Sequence, residues 1–527
     1  MKPLYSVAQI RAIEQAATSA LAPGALMQRA GQAAADAVLA LLAGQNNQNN
    51  QNNQTNQTNR SVLLLAGPGN NGGDALEAAA NLAQAGVDVA VIHLAGSAPV
   101  SAETAHALAR ARTGQVRFLD ALPEAAPALV VDGLFGIGLA RALDGAARAL
   151  VEAANALGWP VLALDVPSGL DADTGAVVGQ HGGGAGIALR AVRTLTFIGD
   201  KPGLHTCDGR DVAGEIQLDA LAIDAQCFPP AQAQLNGPAL FAGQLKRRAG
   251  NSHKGSFGDV AIVGGARGMA GAAMLAARAA LYSGAGRVFV AAVDPGPAFD
   301  SVQPEIMFRD GATYPLDVGT LVLGPGMGAS TLASDMLARA LLGNATLVLD
   351  ADALNLIAAS IDLQQHLGAR TAPAILTPHP LEAARLLGMS LVAVQRDRLA
   401  AARAITTRFN AIVVLKGSGS VIAEPGGAVV INTSGNPGLA SAGTGDVLAG
   451  ICGALLAQGW PAREAALGAV WLHGAGADRL VALGIGPIGL CAGELPGAVR
   501  AVLNELTYGA RPGARPGAIT PAGPPQS

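Results

Sequence analysis

The chain has 527 residues, half of them hydrophobic but only 3% aromatic, with 69 glycines and a formal charge of −4. At about 150 residues per domain this length predicts at least two domains, and the small-residue composition predicts closely packed helix-on-sheet layers. The charge and the scatter of Lys and Arg exclude a nucleic-acid partner, and four widely spaced cysteines exclude both a zinc site and a disulfide framework. With no signal-peptide pattern and no apolar run of about 18 residues, the expected protein is cytoplasmic and has no membrane partner.

In chain order, Ser6-Val7-Ala8-Gln9 is a capping-box pattern followed by Ile10, Ile13 and Ala17 at helical spacing. A second amphipathic helix covers 26–42. Residues 45–59 are almost wholly Asn and Gln, have no apolar surface to offset ordering, and predict a disordered loop. Apolar runs bounded by Gly and Pro then predict strands at 61–66, 87–94, 128–131, 160–164 and 194–198. They alternate with helical stretches in the rhythm of a mostly parallel sheet. An irregular stretch, roughly 219–244 and containing Pro229-Pro230, predicts a linker. The rhythm restarts at 260–264 and continues through 287–293, 320–323, 345–349, 374–376 and 411–415. The expected organisation is α/β in two domains, 1–220 and 245–510, joined by a linker at 221–244 and followed by a disordered tail at 511–527.

In the first domain, the strand at 61–66 runs into Gly67-Pro68-Gly69-Asn70-Asn71-Gly72-Gly73-Asp74 and then a helix. A glycine-rich turn at the carboxyl edge of a parallel sheet offers backbone N–H groups and a helix N-terminus to phosphates or dinucleotides. The turn is neither a Walker loop nor a GxGxxG fingerprint. Two further strand ends carry polar clusters, around Asp132 and from Asp165 to Ser168, and predict convergence on one crevice. Asn71, Asp132 and Ser168 supply hard oxygens suited to a cation. A lone aspartate would more simply be a helix cap, which explains the trio poorly. Asp165, a carboxylate at a strand end, suits general acid–base work.

In the second domain, Gly443-Thr444-Gly445-Asp446 precedes the apolar helix at 447–456. This pattern predicts backbone amides around an anion, with a carboxylate beside it to take a proton from a hydroxyl attacking phosphorus. The segments Gly324-Pro325-Gly326-Met327-Gly328, Asp350-Ala351-Asp352, Thr377-Pro378-His379-Pro380 and Lys416-Gly417-Ser418-Gly419-Ser420 each follow an apolar strand. All are expected on one sheet edge, His379 as a substrate contact and Lys416 to Ser420 as a nucleotide loop.

Together, Leu26 to Gly31, Asn70 to Asp74, the two aspartate clusters and Asp200-Lys201-Pro202-Gly203-Leu204 resemble the amino-terminal domain of the bifunctional NAD(P)H-hydrate repair enzymes. Residues from about 245 to 506, including Lys254 to Gly258, Met269-Ala270-Gly271-Ala272 and the motifs above, resemble their ADP-dependent dehydratase domain, a relative of ribokinase. The resemblance implies a Rossmann-like parallel sheet at the N-terminus and a ribokinase-like α/β domain at the C-terminus. It implies an epimerase interconverting the R and S hydrates NADHX and NADPHX, with K+ at Asn71, Asp132 and Ser168. Substrate contacts are implied at Asn70, Asn71, Gly72, Gly73, Asp74, Gly136, Ile137, Gly138, Leu139, Ala140, Arg141, Ala142 and Asp165. For the dehydratase it implies hydrate contacts at Ala272, Gly326, Gly328, His379 and Asp446. ADP, with AMP as product, is then held by Lys416, Gly417, Ser418, Gly419, Ser420 and Gly445. Mg2+ between the nucleotide phosphates is expected on general grounds, because phosphoryl charge needs neutralising. A homo-oligomer is the expected assembly. The competing expectation is a vitamin or sugar kinase of ribokinase type fused to a non-catalytic binding domain, since the Gly-Thr-Gly-Asp chemistry is shared.

Overall fold

The computed structural model describes residues 2–51, 60–96, 100–180 and 184–509, with no description of side chains at 45–51. The chain divides into two compact units, one of Lys2–Leu235 with Val392–Leu399, the other of Asn236–Leu391 with the residues from Ala400 onward.

In the N-terminal unit, Ser6 caps helix α1 (Val7–Thr18) through the capping box with Gln9, and the buried Ile10, Ile13 and Ala17 form one face of it. Helix α2 (Ala25–Gln51) packs along α3 (Asn70–Gln84). Its backbone stays helical to Gln51, six residues beyond the Gln45 at which the Asn/Gln composition predicts a loop; residues 52–59 lie outside the described residues. Short strands β1 (Pro3–Leu4) and β9 (Ala233–Leu235) pair antiparallel. The main sheet is made by β2 (Ser61–Ala66), β3 (Asp88–His93), β4 (Arg117–Phe118), β5 (Leu129–Gly133), β6 (Val161–Leu164), β7 (Arg193–Phe197) and β8 (Glu215–Asp219). They run parallel in the order β4-β3-β2-β5-β6-β7-β8. Helices α4 (Ala102–Thr113) and α5 (Gly145–Leu157) complete the crossovers. Both sheet faces are covered, so the strands are apolar without alternation: Val62, Leu64 and Ala66 pack into one core, Leu63 and Leu65 into the other. Each such leucine buried contributes about 1.5–3 kcal/mol. The strand order reverses between β2 and β5, and a crevice opens at such a switch point beyond the carboxyl ends of the strands.

The C-terminal unit repeats the principle with β10 (Asp259–Gly264), β11 (Arg287–Ala292), β12 (Met307–Asp310), β13 (Thr320–Leu323), β14 (Thr346–Leu349), β15 (Ala374–Leu376), β16 (Ile412–Leu415), β17 (Ser420–Ala423) and β18 (Val429–Asn432). Strands β15, β14, β13, β10, β11 and β12 lie parallel beside β16, with the reversal between β13 and β10. Beyond β16 the pairing turns antiparallel, β16 with β17 and β17 with β18. The helix Thr444–Ala457 is buried on nearly every side, packed on the helix Ala270–Tyr282 and on the sheet. The tail 511–527 lies outside the described residues. Among the described residues no helix is long and apolar enough to cross a membrane.

Candidate active sites

In the N-terminal unit, α3 starts at the end of β2 so tightly that a Cβ on Gly72 would lie 1.9 Å from the Gly67 carbonyl oxygen. The turn therefore tolerates nothing larger there, and it delivers Asn70, Asn71 and Asp74 to a cavity of about 650 Å³. The wall also carries Gly136, Ile137, Gly138, Leu139 and Asp165, with Arg11 and Glu14 from α1 and Glu103 from α4. Gly72 and Gly73 are buried in the packing of α3, and Ala140 and Arg141 are exposed; none of these four, nor Ala142, forms the wall among the described residues.

The second aspartate cluster folds onto the first. Asp132, fully buried at the end of β5, accepts from the Ser168 hydroxyl at 2.7 Å, from the Ser168 N–H at 2.8 Å and from the Leu134 N–H at 3.1 Å. Burial pushes its carboxyl up to about 6, with the hydrogen bonds from Ser168 and Leu134 pulling the other way. Ser168 Oγ also accepts from the Phe135 N–H at 2.9 Å. Asn71 donates from Nδ2 to the Leu164 carbonyl at 3.2 Å, and its Oδ1 is buried without a hydrogen-bond partner. An unsatisfied buried carbonyl-type oxygen asks for a donor or a cation.

Asp165, next after β6, has a left-handed backbone with φ of 67°. Its Oδ1 is held by Lys201 Nζ, while a Cβ on Gly136 would lie 3.1 Å from Oδ2, placing that oxygen toward the glycine on the cavity wall. Asp74 and Glu14 are both pushed up, by burial first and then by the charge of Asp165.

In the C-terminal unit, the β10 and β13 ends flank the switch point, and a Cβ on Gly326 would lie 3.2 Å from the Ala272 Cβ. The Gly328 N–H donates to Asp352 Oδ2 at 2.8 Å. Lys416, at the end of β16, donates to Asp350 Oδ1 at 2.6 Å. A Cβ on Gly445 would lie 3.3 Å from that ammonium, so the Lys416 side chain and the first turn of the helix Thr444–Ala457 face each other. Burial, then the charge of Asp350, pushes Asp446 up to about 7, with Lys416 pulling the other way. Gly417, Ser418 and Gly419 make the turn between antiparallel β16 and β17, closed by a hydrogen bond from Ser420 Oγ to the Gly417 carbonyl at 3.2 Å.

His379 has a structural duty as well. Its Nδ1 accepts from the Leu381 N–H at 3.0 Å, capping the helix Pro380–Leu387, and Glu382 closes the box on the His379 N–H at 2.7 Å. Nε2 lies 3.4 Å from Glu382 Oε1, on a side chain that is about half exposed.

Of the side chains that hold these groups, Lys201, Asp350 and Asp352 stand inside the strand-end motifs with no separate signal of their own, and Glu382 lies two residues past Pro380. Arg11, Glu14 and Glu103 carry no sequence signal at all, because they sit on ordinary amphipathic helices.

A family model described as YjeF-related protein N-terminus matches residues 23–203, and one described as NAD(P)H-hydrate dehydratase matches 260–484. The chain is 36% identical to the bifunctional NAD(P)H-hydrate repair enzyme of Coxiella burnetii over 520 residues, covering 96% of this chain and all of that one. It is 36% identical to the enzyme of the same name from Escherichia coli, covering 85% and 86%. The ADP-dependent (S)-NAD(P)H-hydrate dehydratase of Neisseria meningitidis is 44% identical over 52% of this chain and 94% of its own length. A solved ADP/ATP-dependent NAD(P)H-hydrate dehydratase from Bacillus subtilis aligns with 51% of this chain and 97% of its own, at 29% identity and a TM-score of 0.45. With both halves matched and the Coxiella burnetii enzyme covered over its full length, the chain belongs to the bifunctional NAD(P)H-hydrate repair enzymes.

Proposed function

We propose that the N-terminal unit interconverts the R and S hydrates of NADH and NADPH, and that the C-terminal unit returns the S hydrate to NAD(P)H with ADP as phosphoryl donor. The observation that carries the second step is the juxtaposition of Asp446, Gly445 and the Lys416 ammonium. Asp446 takes the proton of the C6 hydroxyl as its oxygen attacks the terminal phosphorus of ADP, and AMP leaves. Phosphate then departs from C6 as a proton departs from C5, restoring the double bond. Lys416 and the amides at Gly445 stabilise charge on the transferring group. Asp350 and Asp352 are the hard oxygen donors at this edge that would hold Mg2+, which would add to that charge stabilisation.

In the N-terminal unit, Asp165 moves the proton as the C6 hydroxyl leaves and returns on either face. The hard oxygens of Asn71, Asp132 and Ser168 suit K+, and the buried, unpartnered Asn71 Oδ1 supports that assignment. Bound there, K+ would supply a fixed positive charge for the substrate's phosphates. The free thiols of Cys207, Cys227, Cys452 and Cys491 suit a reducing cytoplasm.

The test is direct: chemically prepared NADHX is mixed with the protein, with and without ADP, and the return of NADH absorbance is followed. ADP-dependent recovery of both stereoisomers is expected; a stable phosphorylated product without NADH would instead identify a kinase.

A further inference from the structure

We propose that Lys201 is a positioning residue of the epimerase, its buried ammonium gripping Asp165 by Oδ1 so that Oδ2 alone is presented to the cavity. The assignment rests on Asp165 as the residue that moves the proton.

Lys201 follows β7 by four residues, and its side chain is fully buried. Nζ has three N–H bonds and three acceptors: Asp165 Oδ1, Thr196 Oγ1 at 2.8 Å and the Phe197 carbonyl at 2.8 Å. An ammonium so satisfied has no donor left for a substrate, so any effect on the reaction passes through Asp165. Its backbone is pinned as well. The Lys201 N–H donates to Asp200 Oδ1 at 2.8 Å, the Asp200 carbonyl accepts from the Tyr5 N–H at 2.8 Å, and His205 Nε2 lies 2.8 Å from both Asp200 carboxylate oxygens.

Asp165 is gripped from the other side. Its left-handed backbone is anchored by an N–H bond to the Leu195 carbonyl at 2.8 Å. Oδ1 also lies 3.4 Å from the Phe197 N–H. Oδ2 is thereby the oxygen turned toward Gly136.

The charged groups around the carboxylate make the lysine's contribution specific. Glu14 from α1, Asp74 from α3 and Glu103 from α4 add negative charge around the cavity, and Arg11 from α1 offsets Glu14. Lys201 is the cation in direct contact with Asp165, opposing those acids. Its removal leaves a carboxylate facing other carboxylates, which favours the protonated form.

The test uses the full-length protein and (R)-NADHX without ADP, so that only epimerisation is read, by separating the stereoisomers over time across pH. In Lys201→Met, kcat falls by about 10²-fold or more, KM stays within about threefold, and the acidic limb of the pH profile moves up by about one unit or more. Lys201→Gln keeps a donor for Oδ1 without the charge, and shows the same limb shift with a smaller loss. A folded variant of either kind with wild-type kcat and an unmoved limb overturns the proposal. Should Lys201→Met be insoluble, Asp165→Asn/Lys201→Met removes both charges and is compared with Asp165→Asn alone, while Lys201→Gln still supplies the pH profile. Equal rates support action through Asp165, whereas a further loss of about tenfold or more shows a separate role and overturns it. Wild-type epimerisation in Asp165→Asn itself overturns the assignment of Asp165, a result distinct from failure at Lys201.

Discussion

Lys416 Nζ lies 2.6 Å from Asp350 Oδ1, and this ion pair is packed against Gly445, one residue before Asp446. A half-buried lysine held by one carboxylate still exerts its field on the next, so Asp350, Lys416 and Asp446 serve one site from two strand ends and a helix. Asp446→Asn keeps size and hydrogen bonding but removes the base. ADP-dependent conversion of (S)-NADHX is expected to fall by about two to four orders of magnitude, the usual range for loss of a general base. Nucleotide binding, measured by calorimetry, persists. Near-normal turnover would show that Asp446 is not the proton acceptor.

The same carboxyl gives a pH signature. Burial raises Asp446 to about 7 in the folded protein, above its ordinary value of 3.8, so the folded state binds the extra proton between those limits. Its favourable contribution to stability is complete below about pH 4 and is lost as pH rises through 7. Asn in its place has nothing to lose. The melting temperature of Asp446→Asn relative to the parent is therefore expected to rise from pH 5 to pH 8, and kcat of the parent to climb through an acidic limb near 7. A melting difference that stays flat across that window would contradict the raised carboxyl.

His379 combines two duties that substitutions can separate. Its Nδ1 caps the helix Pro380–Leu387, a role asparagine fills well and alanine does not. His379→Ala is expected to cost about 1 kcal/mol of stability and His379→Asn only a few tenths. Both should raise KM for the hydrate if Nε2 contacts it. Equal stability losses for the two would show that the cap is not what Nδ1 supplies.

What could be read from the amino acids alone follows from how local each signal is. Strand β2 was legible to the residue because an apolar run is bounded by Arg60 and Gly67, and the strand-end carboxylates were legible because parallel sheets put polar residues there. The Lys201–Asp165 pair was not, since its members stand 36 residues apart and nothing in either local pattern names the other. The antiparallel β16–β17 pairing was hidden behind Gly417 to Ser420, whose glycines read as a nucleotide loop and also make the hairpin turn. The helical run to Gln51 was missed because composition judges the burial a segment can gain, whereas α2 merely extends a helix already nucleated by its packed residues before Leu42.

Gly72 is expected to fail as alanine for a steric reason rather than a chemical one. The added Cβ would meet the Gly67 carbonyl oxygen at 1.9 Å, backbone against backbone, with no flexible side chain to give way. Gly72→Ala should cost about 1–3 kcal/mol or more in the N-terminal unit and abolish most epimerisation. Conversion of (S)-NADHX with ADP should stay within about twofold, because sites without shared partners behave additively. A loss of both activities together would mean that the two units do not fold independently of this turn.

The last expectation joins the two activities. The dehydratase consumes the S hydrate, and the R hydrate reaches it through the epimerase or through slow spontaneous epimerisation. On a mixed substrate, Asp165→Asn should leave the fast phase of NADH recovery intact and slow the second, because only the supply from R is lost. Asp446→Asn should suppress both phases, since each route to NADH passes through it. Removing potassium should reproduce the Asp165→Asn curve if Asn71, Asp132 and Ser168 hold the ion, and sodium should restore it poorly because the smaller cation fits the same oxygens less well. The readout is NADH absorbance with the R-to-S ratio sampled in parallel. A single phase in the parent would mean only that epimerisation outruns dehydration, so the decisive comparison is between variants. A slow phase that is unchanged in Asp165→Asn would remove that residue from the epimerase, and one unchanged without potassium would remove the ion.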